Sequence, residues 1–440
     1  MAAVVQNVPR RRFARIIPIA FLMYTIAFMD RINIGLAIPS MSKALHFDPT
    51  IAGLAFGIFF IGYLFLQIPG GHLAERWSAK WFIFILLLVW GCFSILTGLV
   101  RNVTQLLAVR FLLGVTEGGV WPATLVLLAH WFPREERARA NNLWMLCLPV
   151  ASVVVSPLSG LILATTHDYR LLFLYEGIPP IVWAALWALL IHDRPGDAGW
   201  ITAAEREHLE ARLAREREDR DRPDLATYRQ ALSSPVTWLF CSIYFFSTIP
   251  GYGISSFLPS LLKQAGLSIG LVDVVTALPY LVAIAGLLAV GYASDRSMTR
   301  RRWIAIPALV MGIGIVASAV LQARPVVSTV ILILAGFGLY SYLGPFWASV
   351  DQIMPAETSG GAMGLVNAVG NLGGFVGPYL VGFLDTATGT FTSGFLFLGL
   401  CALAMAALTR LIRIREGMRT PALDHVASPP APELRDADGG

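Results

Sequence analysis

The chain has 440 residues, of which 56% are hydrophobic and only 14% carry a charged side chain. A soluble domain carries about 25% charged residues, so this composition excludes an ordinary soluble protein and predicts several membrane-spanning segments. The formal net charge of +5 does not indicate a nucleic-acid-binding protein, because the arginines lie in short loops between apolar runs and form no continuous basic stripe.

Twelve apolar runs are long enough to cross a bilayer, and they predict an all-α membrane protein with twelve transmembrane helices in two similar halves of six. The runs lie at about 16–39, 51–70, 82–100, 104–129, 140–163, 171–191, 236–260, 271–292, 303–322, 327–348, 360–384 and 393–413. The one long polar segment is a central loop (193–235) that joins an N-terminal half (1–192) to a C-terminal half (236–415). We expect the tail that follows (416–440) to be disordered. Residues 203–221 of the central loop have the spacing of a charged amphipathic helix.

Arginine and lysine concentrate in every second loop: before the first run, after the second, fourth, sixth and eighth runs, and in the tail. Because basic loops stay in the cytoplasm, we expect both termini and the central loop to be cytoplasmic. The chain is then a multi-pass protein of the bacterial cytoplasmic membrane, surrounded by the lipid bilayer, and we expect it to be a monomer.

The two halves resemble each other at an offset of 220 residues. One repeated motif follows the second run of each half, as Gly71, Glu75 and Arg76 and again as Gly291, Asp295 and Arg296. We interpret these as gating residues, in which Glu75 meets a helix N-terminus or a neighbouring arginine; a plain topogenic charge is the alternative. At the same offset, Asp30 and Arg31 align with Pro250 and Gly251, so we expect ion coupling in the first half and a helix break in the second.

Asp30 and Arg31 lie near the predicted bilayer midplane, within the first apolar run. A charge at that depth costs about 2.5–3.5 kcal/mol, so an acid–base pair there predicts a functional site. In the fourth run, Arg110 and Glu117 share one helical face with Gly114, a residue that lets a neighbouring helix approach closely. A carboxyl group in apolar surroundings can take up a proton near neutral pH unless an arginine holds it.

These four charges predict a coupling mechanism. A substrate anion at Arg31 or Arg110 competes with Asp30 and Glu117 for the cation, so protonation of the acid frees the arginine for the substrate. Purely structural pairing of the four charges is the alternative.

Polar residues of four other positions complete the predicted cavity: Tyr63, Trp347, Asn367 and Asn371. The two asparagines are one helical turn apart and suit hydroxyl or carboxylate recognition, but they suit interhelical hydrogen bonds equally well. We expect Glu176 and Asp273 near the outer face, at the membrane interface. No nucleophile–base pair, HExxH motif or paired metal spacing is present, so no catalytic residue, metal or cofactor is expected and the chain is not predicted to be an enzyme.

Five motifs carry a resemblance to the major facilitator superfamily, and within it to the anion:cation symporter family: Met29 to Asn33, Arg110 to Glu117, Trp131 to Arg139, Asp193 to Trp200, and Asn371 to Pro378. The signature loop departs slightly, with Glu75 for the usual aspartate and Ser78 for the usual glycine. The resemblance implies that Asp30 and Glu117 act in proton coupling and that Arg31 and Arg110 act on anions. It also implies that Tyr63 and the two asparagines face the substrate.

The predicted function is therefore proton-coupled import of a small organic anion, either a sugar acid or a hydroxy-dicarboxylate such as tartrate. An aromatic-acid importer or an organic-anion exchanger of the same family is the alternative. A drug/proton antiporter of this fold is disfavoured, because the stretch from Val154 to Gly160 in the fifth run lacks most of the glycines typical of those carriers. A membrane sensor or enzyme would require a soluble signalling domain or a catalytic set, and the chain shows neither.

Overall fold

A computed structural model describes residues 8–218, 232–264, 266–267, 269–297, 299–353 and 359–412, and helices account for most of them. In the first half, the helices are α1 (Val8–Leu45), α2 (Pro49–Arg76), α3 (Ala79–Leu99), α4 (Val103–Gly118), α5 (Val120–Trp131), α6 (Arg134–Met145), α7 (Cys147–Thr166) and α8 (Tyr169–Leu190). The central loop contains a 3-10 turn (Pro195–Asp197) and α9 (Ala203–Glu218). In the second half, they are α10 (Pro235–Gln264), α11 (Ile269–Ser297), α12 (Arg300–Val320), α13 (Pro325–Ala335), α14 (Gly338–Ser341), α15 (Leu343–Ile353), α16 (Ser359–Asn371), α17 (Gly373–Thr388) and α18 (Phe391–Leu408), followed by a 3-10 turn (Thr409–Leu411).

The predicted twelve-helix fold is confirmed. Four of the twelve predicted membrane-spanning segments each consist of two or three helices that follow one another almost without a break. These segments are α4–α5, α6–α7, α13–α15 and α16–α17. Among the described residues, ten of these segments are long and apolar enough to cross a membrane, judged by length and composition alone. The other two, at 235–264 and 359–388, contain more small and polar residues. The amphipathic helix of the central loop appears as α9, whereas 219–221 and the predicted tail, 416–440, lie outside the described residues.

The expected helix break in the second half is wrong. The helix α10 continues from Pro235 to Gln264 through both Pro250 and Gly251. A proline removes one backbone hydrogen bond and need not end a helix that its neighbours hold in place. Here α10 packs against α1, α16, α17 and α18, which keep it helical across that position.

Glycines bring α2 and α4 into backbone contact. A Cβ atom on Gly114 would overlap the carbonyl oxygen of Phe59, and a Cβ atom on Gly118 would overlap that of Tyr63. From the other side, a Cβ atom on Gly62 would overlap the carbonyl oxygen of Phe111. The close approach predicted from the small residues of the fourth run is therefore confirmed, and it fixes the two aromatic residues of α2 against the charged face of α4.

The halves meet most closely at the end of the bundle opposite the basic loops, which we call the sealed end (Pro49, Thr50, Gly53, Pro378, Gly382 and Thr386). Cβ atoms on Gly53 and Gly382 would overlap the carbonyl oxygens of Pro378 and Pro49, so these backbones touch. The hydroxyl oxygens of Thr50 and Thr386 lie 2.9 Å apart. Two further hydrogen bonds between the halves, Gln67 with Asn367 and Ser152 with Tyr340, lie nearer mid-depth.

Substituting Gly114 with alanine is expected to lower the thermal unfolding temperature of the detergent-purified protein. The added methyl group has no room beside the Phe59 carbonyl, and overpacking of this kind typically costs about 1–3 kcal/mol. Gly344→Ala is the matched control, because nothing lies within 4 Å of the Cβ position there. Equal unfolding temperatures for the two variants would contradict the tight α2–α4 contact.

A disulfide is expected between cysteines introduced together by Thr50→Cys and Thr386→Cys, in a Cys92→Ala background that removes the one exposed native thiol. The two hydroxyl oxygens are already in contact, so the sulfur atoms can reach bonding distance with little backbone movement. Loss of free thiols under mild oxidation measures the reaction, and Thr50→Cys alone is the control. If the double variant keeps both thiols, the sealed end is not closed.

Candidate functional site

A small cavity of about 70 Å³ lies between the two halves, near the middle of the bundle. Its wall contains six tyrosines (Tyr24, Tyr63, Tyr244, Tyr252, Tyr340, Tyr342), the rings of Phe28 and Trp121, the hydroxyls of Ser247, Thr248 and Ser255, the amides of Asn367 and Asn371, and Arg31. Among the residues that the structure describes, Arg31 is the one arginine, lysine or histidine on this wall. The cavity therefore combines a single cation with aromatic faces and neutral hydrogen-bonding groups.

The guanidinium group of Arg31 contacts one acid and three aromatic rings. Its Nη2 atom lies 3.1 Å from Oε2 of Glu117, and both side chains are almost completely buried. Its guanidinium carbon lies 4.7 Å from the ring centroid of Tyr63, 5.3 Å from that of Phe59 and 5.5 Å from that of Phe28. The close packing of α2 on α4 places two of these rings, and it therefore positions the cation at the cavity wall.

Asp30 lies beside Arg31 in sequence but faces the interior of the first half. Its Oδ1 accepts hydrogen bonds from Ser94 Oγ at 2.6 Å and from Asn33 Nδ2 at 3.0 Å, and its Oδ2 accepts one from Trp90 Nε1 at 2.5 Å. Three neutral donors thus surround a buried carboxyl group, an arrangement that stabilises its ionised form. The structure separates the two acids of the sequence prediction: Glu117 contacts the cavity cation and Asp30 does not.

Arg110 is fully buried and lies off the cavity wall. Its Nε donates to the carbonyl oxygen of Ala55 at 3.3 Å, and its guanidinium stacks 5.2 Å from the ring centroid of Phe59. Its two terminal nitrogens have no hydrogen-bond partner among the described residues, and it interacts electrostatically with both Asp30 and Glu117. Of the two arginines expected to bind substrate, the structure brings Arg31 to the cavity and leaves Arg110 buried away from the cavity wall.

Of the four other residues predicted to line the cavity, three do so and one does not. Tyr63, Asn367 and Asn371 are on the cavity wall, whereas Trp347 packs behind Tyr244, with 5.3 Å between the ring centroids. Asn367 Nδ2 donates to Oε1 of Gln67 at 3.0 Å, a hydrogen bond between the halves that the sequence did not reveal. Asn371 Nδ2 donates to the carbonyl oxygen of Asn367 at 2.8 Å. Both asparagines therefore line the cavity, and Asn367 also joins two helices.

The repeated loop motif lies at the basic end, far from the cavity. Gly71 and Gly291 are partly exposed, and Glu75, Arg76 and Arg296 are exposed. Neither Glu75 nor Arg76 forms an ion pair with a described side chain, and the side chain of Asp295 lies outside the described ones. Among the side chains of the motif that the structure describes, none forms an ion pair with the other half, and the gating role stays a prediction.

Two residues near the charged cluster were misplaced or overlooked by sequence reasoning. Glu176 was expected at the membrane interface, but it is buried on α8 and accepts a hydrogen bond from Asn33 at 2.6 Å. The signals that could have found them are the presence of an acid inside an apolar run and the spacing of Asn33 three residues after Asp30, which places both on one helical face. Asp273 is also buried, against Gly160 at the interface of the halves.

Replacing Arg31 with methionine is expected to destabilise the protein by about 3–5 kcal/mol, because it leaves the Glu117 carboxylate buried without its cation. The double variant Arg31→Met, Glu117→Gln removes both charges and should recover most of this loss. The loss should also shrink at low pH, where Glu117 is neutralised by a proton. Thermal unfolding of the purified variants measures each difference, and a double variant as unstable as the single one would exclude a strong ion pair.

Comparisons with known proteins agree with this architecture. The family model of the Major Facilitator Superfamily matches residues 20–378. The chain is 30% identical over 412 residues to a protein of Agrobacterium vitis named as a candidate tartrate transporter, covering 92% of this chain and 91% of that protein. It is 29% identical over 408 residues to a quinolone resistance transporter of Acinetobacter baumannii, covering 90% and 93%.

Among solved structures, a D-xylose–proton symporter superimposes with a TM-score of 0.72 at 16% identity, covering 90% of this chain and 96% of that one. At this identity the likeness concerns the fold, which is that of a twelve-helix transporter. The family model spans most of the chain, and the motifs on α1, α4 and α17 lie within it. The chain belongs to the major facilitator superfamily, resembles its anion:cation symporters, and is a membrane transporter and not an enzyme.

Proposed function

We propose that this protein is a proton-coupled symporter that imports a small organic anion by alternating access. The observation that supports the proposal is the position of Arg31, which lines the cavity while its Nη2 atom contacts Glu117 at 3.1 Å. An anion in the cavity and the Glu117 carboxylate therefore compete for one guanidinium group. The name of the tartrate-transporter relative supports an organic acid as the substrate.

Proton and anion binding are coupled through this competition. A proton on Glu117 cancels its charge and weakens its hold on Arg31, so that a carboxylate from the cavity can take its place. Loss of the proton restores the ion pair and displaces the anion. The proton and the anion arrive together, so the total charge of the cluster changes little through the cycle. Asp30 is the second carboxyl group that takes part in proton coupling, and Arg110 interacts electrostatically with both acids.

The basic loops set the orientation, because they face the cytoplasm. With this orientation the sealed end faces the outside, and under the proposal the conformation described above is an inward-facing state. In the opposite state the contacts at the sealed end separate, and the basic ends of the halves approach each other, where Glu75, Arg76, Asp295 and Arg296 act as gating residues. We propose a monomer in the cytoplasmic membrane with both termini inside.

The cavity wall favours a monocarboxylate. With one described cation on the wall, a dicarboxylate such as tartrate would leave one of its charges unpaired in apolar surroundings. The hydroxyl and amide groups suit the hydroxyls of a sugar acid. The eight aromatic rings give specific support to a second candidate, an aromatic acid that stacks on them.

The decisive experiment is uptake of radiolabelled acids into proteoliposomes, with and without an inward proton gradient. The panel contains tartrate, a sugar monoacid and a simple aromatic acid. We expect one monoacid to accumulate only with the gradient. Glu117→Gln and Asp30→Asn should each abolish accumulation but preserve exchange, because exchange requires no net proton movement. Asp385→Asn, which removes a buried acid of α17 outside the cluster, is the matched control and should accumulate normally.

Other outcomes would contradict the proposal in distinct ways. If uptake is the same with and without the proton gradient, and both acid variants accumulate the radiolabelled acid normally, the charge cluster is structural. Exchange without accumulation in the unaltered protein identifies an anion exchanger. Proton-driven accumulation of a quinolone inside inverted vesicles would favour a drug/proton antiporter, and the relative named as a quinolone resistance transporter makes this drug the one to test.

A further inference from the structure

Glu176 is a buried acid that the coupling described above does not use. It lies on α8, is only 6% exposed and does not reach the cavity wall. The next residue, Gly177, packs against the backbone of α3, since a Cβ atom there would lie 2.9 Å from the nitrogen of Ile95. This contact holds α8 directly on α3, the helix whose Trp90 donates to Asp30. Glu176 and Asp30 therefore belong to one interior cluster.

Asn33 bridges the two acids. Its Nδ2 atom donates to Oε2 of Glu176 at 2.6 Å and to Oδ1 of Asp30 at 3.0 Å. The other carboxyl oxygen of Glu176 contacts the hydroxyl of Ser159 on α7. That hydroxyl can donate to an ionised carboxylate and can equally accept a hydrogen from a protonated one. Two carboxyl groups thus share one neutral amide in a buried site.

The surrounding charges do not balance a carboxylate at Glu176. The charged group that faces it is Asp30 on α1, and α7 contributes only the neutral Ser159. The part of α3 packed on α8 contributes Gly91 and Ile95, which carry no charge. Arg31 pairs with Glu117, and Arg110 interacts with Glu117 and Asp30. Three ionised acids with these two arginines would leave one net negative charge in the bundle.

Two like charges joined through a neutral amide in apolar surroundings do not both ionise. Asp30 accepts from three donors and interacts with Arg110, whereas Glu176 accepts from two donors and has no described cation near it. We propose that Asp30 and Glu176 form a proton-sharing pair linked by Asn33, in which Glu176 carries the proton in this conformation. The role of the pair in transport rests on the proposed proton coupling, but its protonation can be measured without transport.

The first test is infrared difference spectroscopy of the purified protein across a pH titration. The unaltered protein should show the carbonyl stretch of a protonated carboxylic acid at neutral pH. Glu176→Gln should remove that band, and Asp385→Asn should keep it. If Glu176→Gln does not fold, Ser159→Ala leaves the acid in place and should shift the frequency of the same band. An unchanged band in whichever variant is measured overturns the proposal.

The second test is the pH dependence of substrate exchange in proteoliposomes. In the unaltered protein either carboxyl group of the pair can hold the shared proton. Glu176→Gln leaves only Asp30 to hold it, and the three donors and Arg110 around Asp30 favour the ionised form, so the midpoint should move toward acid by about one pH unit. Loss of the band without a shift of the midpoint would show that Glu176 is a permanently neutral acid, and would also overturn the pair. Failure of the unaltered protein to accumulate any acid contradicts only the proposed function, because the infrared result does not depend on it.

Discussion

A membrane interior offers no water to a buried charge, and this constraint governs the centre of the molecule. Arg31 must be neutralised either by a carboxylate of the protein or by a carboxylate that enters the cavity. In the structure the Glu117 carboxylate takes this place, at 3.1 Å. Because the two possible partners exclude each other, a simple ion pair can serve as a switch, and the wider cluster keeps the total charge nearly constant.

The packing of the first half serves this ion pair. Gly114 and Gly118 allow the backbone of α2 to touch α4, which carries Glu117. The same contact places Phe59 and Tyr63 against the guanidinium group of Arg31, where their faces stabilise the cation. The small residues at this helix interface therefore determine both how closely the helices pack and where the aromatic rings and the acid can lie.

The interface between the halves is a different kind of contact. At the sealed end, backbones of α2 and α17 meet through Gly53 and Gly382, and the side-chain hydrogen bonds recorded there among the described residues are those between Thr50 and Thr386. Contacts of this type can separate without exposing many unsatisfied hydrogen-bonding groups, which suits an interface that opens and closes. The exposed loop motif at the basic end, with Glu75 unpaired among the described residues, is consistent with an interface that has separated there.

The sequence by itself determined the helical membrane fold, the twelve spans and the four central charges, because long apolar runs and charges at mid-depth have few alternative explanations. Only the tertiary structure decided which of these side chains line the cavity. Arg31 and Arg110 look equivalent in sequence, yet one lines the cavity and the other is fully buried away from the cavity wall. Pro250 looked like a helix end, but neighbouring helices keep α10 continuous. Glu176 lies 143 residues from Asn33 along the chain, and only the packing of α8 against α1 and α3 joins them, since no local periodicity encodes contacts at such a separation.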